Sequence, residues 1–151
     1  MNLTRRQALA LSAGAAVLTA AGFNVSAAFA DAAATNKRLM EFTGGKTPES
    51  GKITLTAPEI AENGNTVPVS VSVDSPMTEK AHVQSVMLLA EGNPNPGVIT
   101  FNFTAMSGMA SATTRMRLAK TQNVVAVAKM SDGAVYMDKK EVKVTIGGCG
   151  G

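Results

Sequence analysis

Apolar and polar residues alternate in short runs along most of the chain. The alternation occupies five stretches, 53–57, 67–73, 99–104, 114–118 and 142–146. A period of two places one face of a strand on a core and the other face in water. Two further runs, Val83–Ala90 and 124–128, are apolar nearly throughout, which is typical of strands that are covered on both faces. The pattern therefore predicts seven or eight short strands.

Turn-forming residues separate these runs at intervals of about ten residues, as in many sandwiches. They lie at 62–65, 74–76, 92–97 and 131–133. Asp132 and Gly133 stand between two apolar runs and predict a β-hairpin. We therefore predict an all-β fold, an immunoglobulin-like antiparallel β-sandwich rather than a barrel. Pro68 lacks an amide hydrogen, so it would place its strand at an edge or at a bulge.

The segment 32–42 has a different pattern. Leu39, Met40 and Phe42 are followed by two glycines, which commonly end a helix. The sequence thus predicts a short N-terminal helix before the first strand.

The beginning of the chain is typical of a segment that directs export. Arg5 and Arg6 precede an uncharged run that ends in the small-residue motif Ala-Phe-Ala at 28–30. These features predict a twin-arginine signal peptide over residues 1–30, cleaved to leave a periplasmic protein that begins at Asp31. A membrane anchor is the weaker alternative, because alanine, glycine and polar residues give the run little insertion energy. We expect no membrane association after cleavage.

Composition and charge exclude several function classes. Fourteen Lys and Arg against eleven Asp and Glu give a net charge of +3, and no basic block is longer than two residues. No nucleic-acid partner is therefore expected. One His and one Cys cannot build a zinc site of the usual spacing, a haem attachment motif or an iron–sulfur cluster. We expect no cofactor and no metal.

The most specific signal is a glycine-rich segment that follows the last predicted strand: Gly147, Gly148, Cys149, Gly150 and Gly151. Glycine has high backbone entropy and no side chain to bury, so the segment should form neither helix nor sheet. We predict a flexible arm at 147–151 after a single domain at 31–146. Extended, the chain from Ile146 to Cys149 spans roughly 10 Å. An arm without bulk could carry a thiol into a narrow site on another molecule.

The residues alone leave three roles open for Cys149. It could carry a substrate, it could link two copies of a structural module as a disulfide dimer, or it could be the nucleophile of an enzyme. A nucleophile needs a base beside it, and His82, the one histidine, is remote in sequence. An incidental cysteine is disfavoured, because an exposed thiol is a liability in an oxidising compartment.

Three features together resemble the SoxY family, the sulfur-carrier subunits of the bacterial thiosulfate-oxidising (Sox) system. They are the twin-arginine signal, the all-β domain with Ala-Thr-Thr-Arg at 112–115, and the terminal Gly-Gly-Cys-Gly-Gly. The resemblance covers the entire chain, and the tail is its most diagnostic part. It implies that Cys149 is the substrate attachment point on a flexible arm and that the protein is a carrier rather than an enzyme.

The resemblance also implies partners. The carrier would be a SoxYZ complex, a heterodimer with a smaller immunoglobulin-like subunit, SoxZ. A Sox cytochrome c complex would couple thiosulfate oxidatively to Cys149 as a cysteine S-thiosulfonate. A metal-dependent hydrolase would release sulfate, and a sulfur dehydrogenase, where present, would oxidise the remaining sulfane.

The chain contains nine methionines, which we expect to fill gaps in the core. The alternative concerns two of them: Met106, Met109 or both would line the surface that meets the partner subunit.

Overall fold

Eight strands and one helix form the part of the chain that the computed structural model describes, residues 27–149. In chain order they are α1 (Ala27–Thr43), β1 (Ile53–Thr56), β2 (Ile60–Asn63), β3 (Val67–Val73), β4 (Val83–Ala90), β5 (Gly97–Asn102), β6 (Ala110–Met116), β7 (Gln122–Met130) and β8 (Val135–Ile146). A 3-10 turn, Ala105–Ser107, lies between β5 and β6. Most of the predicted signal peptide, residues 1–26, lies outside the described residues.

The strands form two sheets, one of three strands in the order β1-β3-β6 and one of five in the order β2-β8-β7-β4-β5. The prediction of an all-β, immunoglobulin-like sandwich with one helix is confirmed. One pair departs from the antiparallel expectation, because β2 lies parallel to β8 with Ala61 opposite Val144. Only residues 57–59 separate β1 from β2, so the chain crosses between sheets without a hairpin.

The core lies between the two sheets. Leu55 and Val71 from the smaller sheet and Val86, Leu88 and Ala126 from the larger one are 1% exposed or less. Burial alternates along β3 as the sequence predicts, with every odd-numbered residue from Val67 to Val73 buried. Transfer of this apolar surface from water is the main favourable term that holds the sheets together.

Helix α1 packs on the outer face of the five-stranded sheet. Leu39 and Phe42 contact an apolar cluster that includes Met87, Leu89 and Val127. This explains why β4 and β7 are covered on both faces, as their apolar runs predict. The helix begins at Ala27, so the predicted cleavage motif at 28–30 lies within its described backbone. No helix within residues 27–149 is long and apolar enough to cross a membrane.

Two turn predictions have different outcomes. The hairpin at Asp132 and Gly133 is confirmed: it joins β7 to β8, and the Ala134 amide donates to Asp132 Oδ1 at 2.9 Å. The prediction that Pro68 places its strand at an edge or a bulge is wrong, because β3 is the middle strand of its sheet and pairs regularly with β6. Pro68 is tolerated because β1 pairs only with residues 70–73 of β3, and Pro68 lies outside that paired segment.

The methionines divide into two groups. Met77, Met87, Met116 and Met130 are buried, as expected of core-filling side chains. The core prediction is wrong for Met40, which is 63% exposed on the helix, and for Met106 and Met109, which are 96% and 71% exposed. The 3-10 turn carries the chain after β5 out of the sandwich, so neither Met106 nor Met109 reaches the core.

Candidate functional site

Cys149 lies three residues beyond the end of β8, at the end of the sandwich where β2 also ends. Cys149 is exposed to solvent, and its thiol is free. Burial decreases towards it along β8, from fully buried Val142 to Ile146, which is 66% exposed. The strand thus leaves the core before the glycine segment begins.

Backbone hydrogen bonds join the glycine segment to two distant parts of the chain. The Gly64 amide, in the β2–β3 turn, donates to the Ile146 carbonyl at 2.7 Å. The Leu118 amide donates to the Gly64 carbonyl at 2.8 Å, and the Gly148 amide donates to the Leu118 carbonyl at 2.9 Å. The β2–β3 turn, the β6–β7 link and the beginning of the arm therefore meet at one point.

A side chain extends this contact to the cysteine itself. The Cys149 amide donates to Asn65 Oδ1 at 3.2 Å. The turn that carries Asn65 is closed by its own amide, which donates to Asn63 Oδ1 at 2.9 Å. The amide of Cys149 is thus held, whereas its thiol is left accessible.

Gly148 and Gly147 occupy positions without room for a side chain. Gly148 is buried, and a Cβ there would lie 2.6 Å from the Gly64 carbonyl oxygen. A Cβ on Gly147 would collide with the Ala119 carbonyl oxygen. Neither glycine adopts a positive φ. In this arrangement the two glycines are required by close backbone approach rather than by an unusual conformation.

Asn93 supports the β6–β7 link through hydrogen bonds of its side chain. It is 2% exposed, and its Nδ2 donates to the Arg117 carbonyl at 2.9 Å. Its Oδ1 accepts from the Ala119 amide at 3.0 Å and from Gln122 Nε2 at 2.8 Å. These bonds fix the link on both sides of Leu118, the residue that receives the Gly148 amide.

His82 and Cys149 lie at opposite ends of the sandwich. The His82 carbonyl accepts from the Ser131 amide, at the end of β7 remote from the arm. The nine residues of β7 separate the two ends by roughly 26 Å. His82 is therefore not positioned as a base for Cys149 of the same chain. Among the described residues, no group of three or more His, Cys, Asp and Glu side chains could hold a metal.

The site predicted from the sequence is described in part. Gly147, Gly148 and Cys149 meet the β2–β3 turn, whereas Gly150 and Gly151 lie outside the described residues. The flexibility of the arm stays a prediction. The residues that sequence analysis missed are those that contact or support the arm: Gly64, Asn65, Asn93 and Leu118. The turn itself was recognisable, but 84 residues separate Asn65 from Cys149 and leave no local signal of their contact.

Comparisons with known proteins point to one family. The family model "Sulfur oxidation protein SoxY" matches residues 39–149. Among solved structures, the sulfur carrier protein SoxY from Chlorobium limicola f thiosulfatophilum is 34% identical, with a TM-score of 0.62. The match covers 76% of this chain and 99% of that chain. A search of curated proteins gives no match.

Superoxide reductases are also similar in structure. The enzyme from Ignicoccus hospitalis is 23% identical with a TM-score of 0.56, covering 63% of this chain and 81% of that chain. The enzyme from Nanoarchaeum equitans is 14% identical with a TM-score of 0.53, covering 63% and 99%. At these identities the likeness concerns the fold alone.

Proposed function

The chain belongs to the SoxY family of sulfur oxidation proteins, and from this premise we propose that it is a covalent carrier of sulfur intermediates with Cys149 as the attachment point. The observation that carries the proposal is the position of Cys149. It lies within the matched range, it is exposed, and it follows two glycines that pass through a gap too narrow for side chains.

Loading of the carrier would be an oxidation. The Cys149 thiolate is the reactive form, and its sulfur forms a bond to the outer sulfur of thiosulfate. One thiol and one thiosulfate dianion give the monoanionic S-thiosulfonate, one proton and two electrons. The electrons pass to the c-type cytochrome complex of the same system, so the carrier needs no redox centre of its own.

Unloading would be a hydrolysis. Water attacks the sulfonate sulfur, sulfate leaves, and the sulfane sulfur stays on Cys149 as a persulfide. A metal-dependent hydrolase performs this step, and a sulfur dehydrogenase, where present, oxidises the sulfane further. The carrier contributes the covalent link and the presentation of the cargo.

The surroundings of Cys149 support a carrier rather than an enzyme. A cysteine nucleophile in an enzyme is activated by a base held beside it, whereas His82 lies at the far end of the sandwich. The thiol is exposed rather than enclosed. Activation of the thiolate would therefore come from the site of a partner enzyme.

A SoxZ-like subunit is the proposed stable partner, and Met106 and Met109 mark the surface that would receive it. Both side chains are exposed on the loop that joins β5 to β6. β5 is an edge strand of the five-stranded sheet and carries Ile99, which is 39% exposed. An unpaired edge beside exposed apolar side chains is typical of a surface that another β-domain covers.

Thiosulfate oxidation would take place in the periplasm, after export by the twin-arginine route. This location is supported by Arg5, Arg6 and the Ala-Phe-Ala motif at 28–30. A route that transports folded proteins suits a domain whose arm is positioned by contacts between distant strands.

Replacement of the attachment atom tests the function. Cys149→Ser should abolish thiosulfate-dependent cytochrome reduction by the reconstituted partner proteins, because oxygen cannot form the sulfur–sulfur bond that holds the cargo. Thermal unfolding and binding to the SoxZ-like subunit should remain unchanged, since the residue is exposed. Turnover at the wild-type rate with Cys149→Ser would contradict the proposal.

A further inference from the structure

We propose that the β2–β3 turn and Leu118 of the β6–β7 link form a resting dock for the arm. Leu118 and Asn65 bind the amides of Gly148 and Cys149, and Gly64 packs against Gly148, until a partner enzyme takes up the thiol. The inference rests on the proposed carrier function of Cys149. It adds the position that the arm occupies between visits to its partners and the residues that hold it there.

The dock limits the reach of the thiol. In the dock, the amides of Gly148 and Cys149 are both bonded to the domain, at 2.9 Å and 3.2 Å. While both bonds are made, the thiol can move only by rotation of the Cys149 side chain. Once both bonds open, the chain from Ile146 to Cys149 can take up its full extended span of roughly 10 Å. An enzyme that acts on cargo below its own surface therefore needs the arm to leave the dock.

The shape of the dock leaves no room for a side chain at position 148 or 64. A Cβ on Gly148 would lie within 3.1 Å of three backbone atoms of Gly64 and Asn65. A Cβ on Gly64 would lie 2.8 Å from the Gly148 amide nitrogen. Because these are backbone atoms, they cannot turn aside as a flexible side chain can. The dock accepts glycine at both positions, and it fits the segment that precedes Cys149.

The arm is held in the dock reversibly. The arm is held by two hydrogen bonds, and the one at Cys149 involves the exposed side chain of Asn65. Water can replace such a partner, so one bond changes the ratio of docked to free arm by about fivefold. The dock itself is fixed to the domain, because Leu118 donates to Gly64 and the buried Asn93 holds both neighbours of Leu118. A rigid receptor and a weakly held arm are the properties of a resting position.

Nuclear spin relaxation of the full-length reduced protein tests the dock directly. The backbone order parameters of Gly148 and Cys149 should approach the rigid value of about 0.85, rather than fall below about 0.6 as in a free tail. Asn65→Ala removes the acceptor and should reduce the docked-to-free ratio about fivefold, lowering the order parameter of Cys149. Asn65→Asp keeps an acceptor oxygen and should preserve the wild-type order parameter of Cys149. Asn36→Ala, at an exposed asparagine on the helix, is the matched control.

A kinetic measurement tests whether the dock governs access. At subsaturating cytochrome complex, Asn65→Ala should load thiosulfate up to about fivefold faster than wild type, because apparent affinity scales with the population of the competent state. Asn36→Ala should load at the wild-type rate. Wild-type order parameters below about 0.6, or an Asn65→Ala variant with unchanged dynamics, would overturn the dock. Unchanged loading by Asn65→Ala would overturn its role in access.

Failure of the dock and failure of the carrier function are distinguishable. A wild-type protein that loads Cys149 but shows a free arm would disprove the dock and leave the carrier intact. A wild-type protein with a rigid arm that never loads would disprove the carrier function, on which the inference rests.

Discussion

The backbones of Gly64 and Gly148 lie in direct contact, and each occupies the space that a side chain on the other would need. A Cβ on Gly148 would lie 2.6 Å from the Gly64 carbonyl oxygen, and a Cβ on Gly64 would lie 2.8 Å from the Gly148 amide nitrogen. One glycine belongs to a turn of the domain, whereas the other belongs to the arm. Substitutions at the two positions should therefore have different consequences.

Gly64→Ala should reduce the free energy of unfolding by about 1–3 kcal/mol, the range for overpacking at a confined site. The added Cβ would collide with the Leu118 carbonyl oxygen. Leu118 has little freedom to move, because Asn93 is hydrogen-bonded to both of its neighbours, Arg117 and Ala119. Gly97→Ala is the matched control, because its Cβ would approach Arg38 Nε no closer than 3.6 Å. Urea unfolding measures both. Equal stability for the two variants would show that Gly64 is not confined.

Gly148→Ala should leave the domain folded and displace the arm. The arm can move away from the turn, so the expected loss is about 2 kcal/mol, the value of the two hydrogen bonds that hold the arm. Amide resonances of Gly64 and Asn65 should shift in this variant while those of the core strands remain. Unchanged turn resonances would contradict the contact.

Asn93 should be among the most sensitive polar positions. Asn93→Ala leaves the Arg117 carbonyl and the Ala119 amide without their side-chain partner, which should cost about 2–3 kcal/mol. Asn95→Ala, at an exposed asparagine of the same loop, should change stability by less than about 0.5 kcal/mol. Chemical denaturation compares the two variants, and similar losses would argue against a supporting role for Asn93.

Met106→Glu and Met109→Glu should weaken binding to the SoxZ-like subunit by about tenfold or more, the effect of an apolar contact in an interface core. Neither should change the melting temperature, because both side chains are exposed. Met40→Glu is the control, since Met40 is 63% exposed on the helix. Calorimetric titration measures the affinities. Equal binding by all three variants would place the interface elsewhere.

Replacement of Arg5 and Arg6 by lysine should leave the precursor uncleaved in the cytoplasm. Recognition of the twin-arginine pair is the expected basis of export. Cell fractionation with N-terminal sequencing detects the product, which should begin at Asp31 in the wild type. Normal processing of the lysine variant would contradict the twin-arginine route.

The sequence is sufficient to predict most of the strands, because the alternation of buried and exposed residues is a local property. It misses β2, whose burial does not alternate and whose last two residues fall in a predicted turn. The valines of β3 and the hairpin at Asp132 and Gly133 lie where the pattern predicts them. The parallel pairing of β2 with β8 is not predictable in this way, since it depends on which distant strand covers the edge. The wrong prediction at Pro68 has the same cause, because the strand beside it depends on where β1 ends.

The candidate site shows the same division. Cys149 and its glycines are recognisable from composition alone, whereas Asn65 is an ordinary turn residue until its Oδ1 meets the Cys149 amide. The exposed positions of Met106 and Met109 likewise depend on the course of the loop after β5. A residue type predicts burial on average, but a loop that leaves the sandwich takes its apolar side chains with it.

Cys149 is the proposed carrier of sulfur cargo, and peptide mass spectrometry of the loaded protein shows whether the cargo is attached there. The reduced protein is incubated with thiosulfate and the cytochrome c complex of the same system, then digested and mapped. A thiosulfonate adduct is expected on the peptide that contains Cys149, and none on the corresponding peptide of Cys149→Ser. An unmodified Cys149, or a symmetric Cys149 disulfide dimer as the sole product, would contradict the carrier role and favour a structural crosslink.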